Sequence, residues 1–439
     1  MTFQIGKSLS KGITKYGDTL FVDATKISDA NFLNDFPSDV RKLFLQEEES
    51  QQNPVQICSL KLVEQLVPSF PQLDIVHLGI VSKQDDITNL LWNTLAENKS
   101  ITKIDRLWIP SNPSKEVLKS LEAIFENNNH LKRVSLSFDL DPLVDYSDDR
   151  ALEAISRGLA QNKTLERLEL CDLKLHNLDV LTPLLSSAPI SVKLQHFTFL
   201  GPPSEQAFPE IENAPTRSDF SVSNSKIEHI EFSVHPHTMN MDYVEYLMEV
   251  LAKANLPHLK HLNIDLDPSR EEHLPLVDLT LSMAHIIDQS KLLKSVEIRG
   301  LVTVSSSLMC SYLQQNKSLE RYSVTSTLIN NHDRIAFSEL LENHNSTLEE
   351  VSLLGGTMRE HQGPCQKALQ SIQYYCTLNK FGRSIARRQA TTKEEFISCL
   401  IQAAAAPGET CSSMEGPALS NLRNIQHGLL RECPSLWST

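Results

Sequence analysis

Three histidines, His196, His229 and His261, recur at intervals of 33 and 32 residues, each inside the same short apolar pattern. Imidazoles repeated at one spacing could ligate a metal, or titrate at about pH 6.5. Zinc asks for a tetrahedral cage, which an evenly spaced row does not make, so a row of surface imidazoles is the stronger expectation. Five aspartates, Asp139, Asp141, Asp145, Asp148 and Asp149, crowd one stretch. They lack the central glycine and closing glutamate of a calcium loop. Acids ahead of a helix suit its positive N-terminal end instead. Glycine-rich phosphate loops, HExxH and GxSxG do not occur, and the eight cysteines are scattered with no CxxC pair. No catalytic set, metal or cofactor is assigned, and the protein is not expected to be an enzyme. A catalytic alternative would need a pocket of titratable groups near Arg383 and Cys399.

One motif must position these side chains. In Asn162-Lys-Thr-Leu165-Glu-Arg-Leu168-Glu-Leu170 an Asn stands three residues before the first Leu, with apolar residues again at 168 and 170. The spacing returns as Asn128…Leu131…Val134…Leu136, Asn224…Ile227…Ile230…Phe232, Asn316…Leu319…Tyr322…Val324 and Asn345…Leu348…Val351…Leu353. Looser copies begin at Leu73, Leu194, Leu259 and Leu293, and one at Ile101 carries Ile104 but then Arg106. First anchors lie 26 to 34 residues apart, the mark of a repeat array. The last two apolar residues of each motif point inward along a short strand, and those between point outward. Between strands, apolar residues at three- and four-residue spacing predict a helix, as at Val117, Leu118, Leu121, Ile124 and Phe125, with Ser114 and Asp149 as N-caps. The Asn is expected to take the left-handed conformation that ends a helix, in a chain with only 14 glycines.

These units give an α/β solenoid, a horseshoe with a parallel concave sheet and outer helices. The array is expected over 54–364, after a segment at 1–53 that carries no copy of the motif and acts as a cap or a docking piece. Burial of Phe32, Phe36 and Phe44 would mark a cap. Prolines at 202, 203, 209 and 215 replace one outer helix by an irregular loop at 200–224. Residues 365–439 read as a helical C-terminal cap.

Asn-Lys-x-Leu-x-x-Leu-x-Leu at this period resembles leucine-rich repeat proteins of the ribonuclease-inhibitor-like type, over roughly 55–364. Tyr374-Tyr-Cys-Thr-Leu378-Asn-Lys-Phe-Gly382-Arg383 also resembles the closing segment of a large group of such proteins. The family often places Asn or Cys eight residues after the first Leu, where this chain has Asp139, Leu173, His235, Leu301, Thr327 and Gly356. The turns after the strands are therefore expected to be less regular. The resemblance implies recognition of another protein on the concave face, and no particular partner.

Outward on that face stand the third and fifth residues of each motif. The third column carries Lys103, Arg133, Arg167, His196, His229, His261 and Arg321, and the fifth carries Glu169, Glu231 and Glu297. Two readings stand. The basic column is a binding surface for a protein, with an acidic segment as one candidate, or the two columns neutralise each other. A net charge of −14 argues against nucleic acid as partner, and no apolar run of membrane-spanning length occurs. With no secretory leader and no cysteine framework, the expectation is a cytoplasmic, or else nuclear, monomer. The alternative role is the specificity arm of a ubiquitin ligase or signalling regulator, with the N-terminal segment as its docking piece.

Overall fold

The computed structural model describes strands within 7–46 and at 75–79, parts of 89–100, most of 101–138, 147–199 and 225–266, 277–355 with few gaps, 364–380, Arg383 and three positions at 427–431. The loop at 200–224, Asp139, Asp141 and Asp145, the side chains of Phe32, Phe36 and Phe44, and Cys399 lie outside the described residues. The chain divides into two compact units, Met1–Leu256 and Pro257–Thr439.

In the first unit the strands run β1 (Lys7–Ser10), β2 (Ile13–Tyr16), β3 (Thr19–Asp23), β4 (Lys42–Gln46), β5 (Ile75–Gly79), β6 (Lys103–Ile109), β7 (Arg133–Phe138), β8 (Arg167–Cys171), β9 (Lys174–Leu175), β10 (Ser191–Phe199) and β11 (His229–Val234). From β3 to β8, and on through β10 to β11, neighbours pair in parallel. Helices α1 (Lys115–Asn127), α2 (Asp149–Gln161), α3 (Leu181–Ser187) and α4 (Met241–Lys253) lie between strands. A parallel neighbour demands such a crossover, because a tight turn can only reverse the chain. The repeated strand-and-helix unit fits a leucine-rich repeat solenoid.

The core follows the motif. Val134 and Leu136, Leu168 and Leu170, and Ile230 and Phe232 are buried together with Leu121, Ile124 and Phe125 of α1 and Leu152 and Ile155 of α2. Gly158 lets α2 approach α1, since a Cβ there would meet the Glu122 carbonyl at 2.5 Å. Ser114 caps α1, its hydroxyl accepting from the Val117 N–H at 3.3 Å. Asp149 is not the N-cap of α2. That place is taken by Asp148, whose carboxylate instead accepts the Lys174 N–H at 2.8 Å and fastens β9.

Parallel pairing begins before the motif does. The segment at 1–53 has no copy of the repeat, yet β4 pairs with β5, and the antiparallel strands β1, β2 and β3 end the sheet. The odd copy at Ile101 has a local cause. Register slips by one residue in β6, where Ile104 faces Val134 but Leu107 faces Leu136. The extra residue is a β-bulge, so Leu107 takes the inward place that strict spacing gives Arg106.

The asparagines end their helices in a way the spacing does not reveal. Asn128, Asn162 and Asn316 have φ of −93°, −79° and −73°, so they are not left-handed. Their side chains make the reversal. Asn162 Oδ1 accepts the N–H groups of Thr164 at 2.9 Å and Leu165 at 2.8 Å, a local turn closed by the amide. Its Nδ2 donates to the carbonyls of Phe125 at 2.6 Å and Asn128 at 3.2 Å, one repeat earlier. Asn128 in turn donates to the Asn98 carbonyl at 3.1 Å. Each rung thus satisfies the free carbonyls of the helix end before it.

The second unit has β12 (His261–Leu266), β13 (Val277–Asp278), β14 (Ser295–Gly300), β15 (Val302–Thr303), β16 (Arg321–Thr325) and β17 (Glu350–Leu354), with α5 (Thr280–Gln289), α6 (Ser306–Gln315), α7 (Asn331–Asn343) and α8 (Pro364–Lys380). Strands β12, β14, β16 and β17 pair in parallel in that order. The asparagine ladder recurs. Asn345, fully buried, donates to the Leu313 carbonyl at 2.7 Å and accepts from Thr347 and Leu348, each at 2.9 Å. Asn379 in α8 donates to the Leu348 carbonyl at 2.8 Å, adding a rung from a helix. Arg383 is buried, donates to the Leu341 and Glu342 carbonyls at the end of α7, and lies 4.6 Å over the Tyr375 ring.

Candidate functional site: the outward strand face

Strand register sets the outward rows. In the first unit Lys103, Arg133 and Arg167 lie side by side across β6, β7 and β8, with Ser135 beside Glu169 two residues on. In the second, His261, Ser295, Arg321 and Glu350 form one row, and Asn263, Glu297, Ser323 and Ser352 the next. This matches the columns expected from the motif.

His196 is the exception. Strand β10 aligns Ser191 with Arg167 and with His229, and Lys193 with Glu169 and with Glu231. The copy at Leu194 is therefore out of phase. Val192 and Leu194 are the buried pair, and Ser191 and Lys193 take the outward places. His196 lies beyond them, so His196, His229 and His261 do not share one row. Phe197 and Phe199 imitate the motif, while the true first anchor is Pro189, which hides it. The alternation Ser191-Val-Lys-Leu is the signal that would have found Lys193.

The rows are knitted by ion pairs. Lys103 meets Asp105 at 2.7 Å, Lys193 meets Glu231 at 2.7 Å, and Arg321 approaches Glu350 at 3.7 Å. Arg299, which the two-column reading misses, binds Glu297. Arg133 and Arg167 both turn to Glu169, with Nη2–carboxylate distances of 3.3 Å and 2.5 Å. Glu169 is almost enclosed, and Ser135, beside it in register, is buried too. Of the two readings of the columns, mutual neutralisation describes most of the cations here. Exposed pairs of this kind contribute about 0–1 kcal/mol each, so they organise the face more than they stabilise it.

Two of the described thiols are poor nucleophiles. Burial pushes Cys310 and Cys376 up to about 12, which keeps both as neutral thiols. Arg383 serves a helix end. Among the described residues no group of three His, Cys, Asp or Glu could hold a metal ion, and no helix is long and apolar enough to cross a membrane. A cavity of about 230 Å³ in the second unit is lined by Tyr322, Phe337, Asp278 and Asp333 among others. It is smaller than the roughly 300–1,000 Å³ usual for small-molecule sites.

No protein-family model matches the sequence, and no curated protein matches it. Among solved structures the chain is similar to the TLR13–ssRNA13 complex, at 15% identity and a TM-score of 0.27. The match covers 76% of this chain and 53% of that one, so this chain spans about half of its length. An overlap that loose carries no argument about fold or function.

Proposed function

We propose that the protein is a non-enzymatic interaction scaffold, a leucine-rich repeat solenoid of the ribonuclease-inhibitor-like type that binds another protein on its concave strand face. The observation that carries this reading is the register: outward side chains stand in rows across parallel strands held by a buried core and an asparagine ladder. Strands about 4.8 Å apart offer many contacts at fixed spacing, with little left to order on binding. Lys103, Arg133, Arg167, Glu169, His229 and Glu231 supply the surface in the first unit, with Ser191 and Lys193 in place of His196. His261, Glu297 and Arg321 supply it in the second. Residues 1–53 close one end and 365–439 the other as a helical cap, around an array at 54–364. The molecule acts as a cytoplasmic, or else nuclear, monomer, with no nucleic acid, membrane or cofactor as partner.

The test is capture from native extract by the wild type and by a variant with Arg133, Arg167, His229 and Arg321 all changed to Glu, after melting curves show both are folded. A partner kept by the first and lost by the second supports the proposal. A partner kept equally by both overturns it.

A further inference from the structure

We propose that Arg133 and Arg167 anchor an aspartate or glutamate side chain of the protein partner. This rests on the reading that the strand face is the binding surface, and it names the chemistry at one point of that surface.

On this face described cations outnumber the acids that pair with them. Four described cations occupy the third and fifth positions from β6 to β10. Lys103 and Lys193 each hold an acid of their own, Asp105 and Glu231. Arg133 and Arg167, neighbours in register on β7 and β8, have only Glu169 between them. The surplus positive charge is therefore concentrated at this pair. Both arginines use Nη2 for Glu169, and the Nε of each is buried with no hydrogen-bond partner. Each guanidinium has five N–H donors in a rigid fork, so most of them remain unused.

Although each Nε is buried, the rest of each arginine side chain is partly open to solvent. The side chains of Arg133 and Arg167 are 37% and 41% exposed, against 12% for the Glu169 beneath them. Two cations on adjacent strands repel each other, and one enclosed carboxylate offsets that only in part. A second carboxylate arriving from solvent meets both forks from above and completes an alternation of cation and anion. Charge-assisted bonds of this kind are about twice as strong as neutral ones. One carboxylate suits the site better than a polyphosphate chain. The long-range field of a molecule of net −14 opposes a polyanion, whereas a single acid senses chiefly what lies within a Debye length of about 10 Å.

The experiment uses the full chain and a fluorescent ten-residue peptide of glutamate, glycine and serine, with a glutamine version as control. The wild type is expected to prefer the glutamate peptide by at least about tenfold. The R133Q/R167Q variant loses that preference, while R157Q, which alters the α2 arginine paired with Glu122, keeps it. E169Q tightens binding, because the internal competitor is gone. Melting curves establish that each variant is folded. No preference for glutamate, an unchanged R133Q/R167Q, a weaker E169Q, or tighter binding of a single-stranded oligonucleotide would each overturn the anchor. The two proposals fail separately. If the fourfold Glu variant loses its captured partner while the peptide does not bind, the strand face stands and the acidic anchor falls. If capture is unaffected, the surface reading falls, and the anchor falls with it as a partner contact.

Discussion

At the scale of single residues, the asparagine is the part of the motif whose role the sequence conceals. Its position before the first Leu is plain in the sequence, and so is its recurrence. A backbone role in the left-handed region is the natural expectation, and the extended angles of Asn128, Asn162 and Asn316 rule it out. The bonds that matter reach residues about thirty positions away, which no local pattern records. Asn345 is the best place to measure them, since it is fully buried and bonded on both sides. Asn345→Ala should cost about 2–4 kcal/mol in chemical denaturation, because two N–H groups and a carbonyl lose their partner inside the protein. Arg383→Met should cost a similar amount, about 2–4 kcal/mol, by stranding the Leu341 and Glu342 carbonyls. Buried acids of weak acidity add a pH dependence. Cys310 and Cys376 ordinarily titrate near 9.0, and burial pushes both up to about 12. Between those values the unfolded chain has released protons that the folded chain still holds. Stability is therefore full below about pH 9 and falls as the pH rises towards 12, which melting curves across that range would register.

At the scale of elements, strands and helices are legible wherever apolar spacing is strict. The pairs Val134/Leu136 and Leu168/Leu170 show it, and each lies buried as its spacing requires. Reading fails where another residue imitates or interrupts the pattern. Phe197 and Phe199 draw the repeat out of phase at β10, and Pro189 conceals the true anchor. Lys42-Leu-Phe-Leu-Gln46 joins the sheet as β4 without the Asn that would announce it. The β6 bulge is the most testable of these departures. Deleting Arg106 removes the extra residue and leaves Leu107 in its inward place, so the melting temperature should move by less than about 4 °C. Deleting Ser135 from the regular strand β7 turns Leu136 and Phe138 outward and should lower it by more than about 8 °C. Equal effects of the two deletions would refute the register described for β6.

At the scale of the whole molecule, the proposed function rests on how outward charge is arranged. Two columns of outward residues can be read from the sequence. Their ion pairs cannot, because partners sit variously on one strand, directly opposite or diagonally, and the choice of Glu169 by both arginines depends on side-chain reach. In the proposed function the strand faces, and not the helix surfaces, meet the partner. The most direct measurement places a photoreactive residue at His229 or Ser323 on the strand faces, or at Glu153 or Leu281 on the helices, and follows crosslinks in native extract. His229, Glu153 and Leu281 are all exposed and Ser323 is half-buried, so the His229 comparison is the one matched for access. Crosslinks to one shared partner from His229 and Ser323, and none from Glu153 and Leu281, are what the account predicts. A partner that crosslinks from the helix positions and not from the strand positions would contradict it.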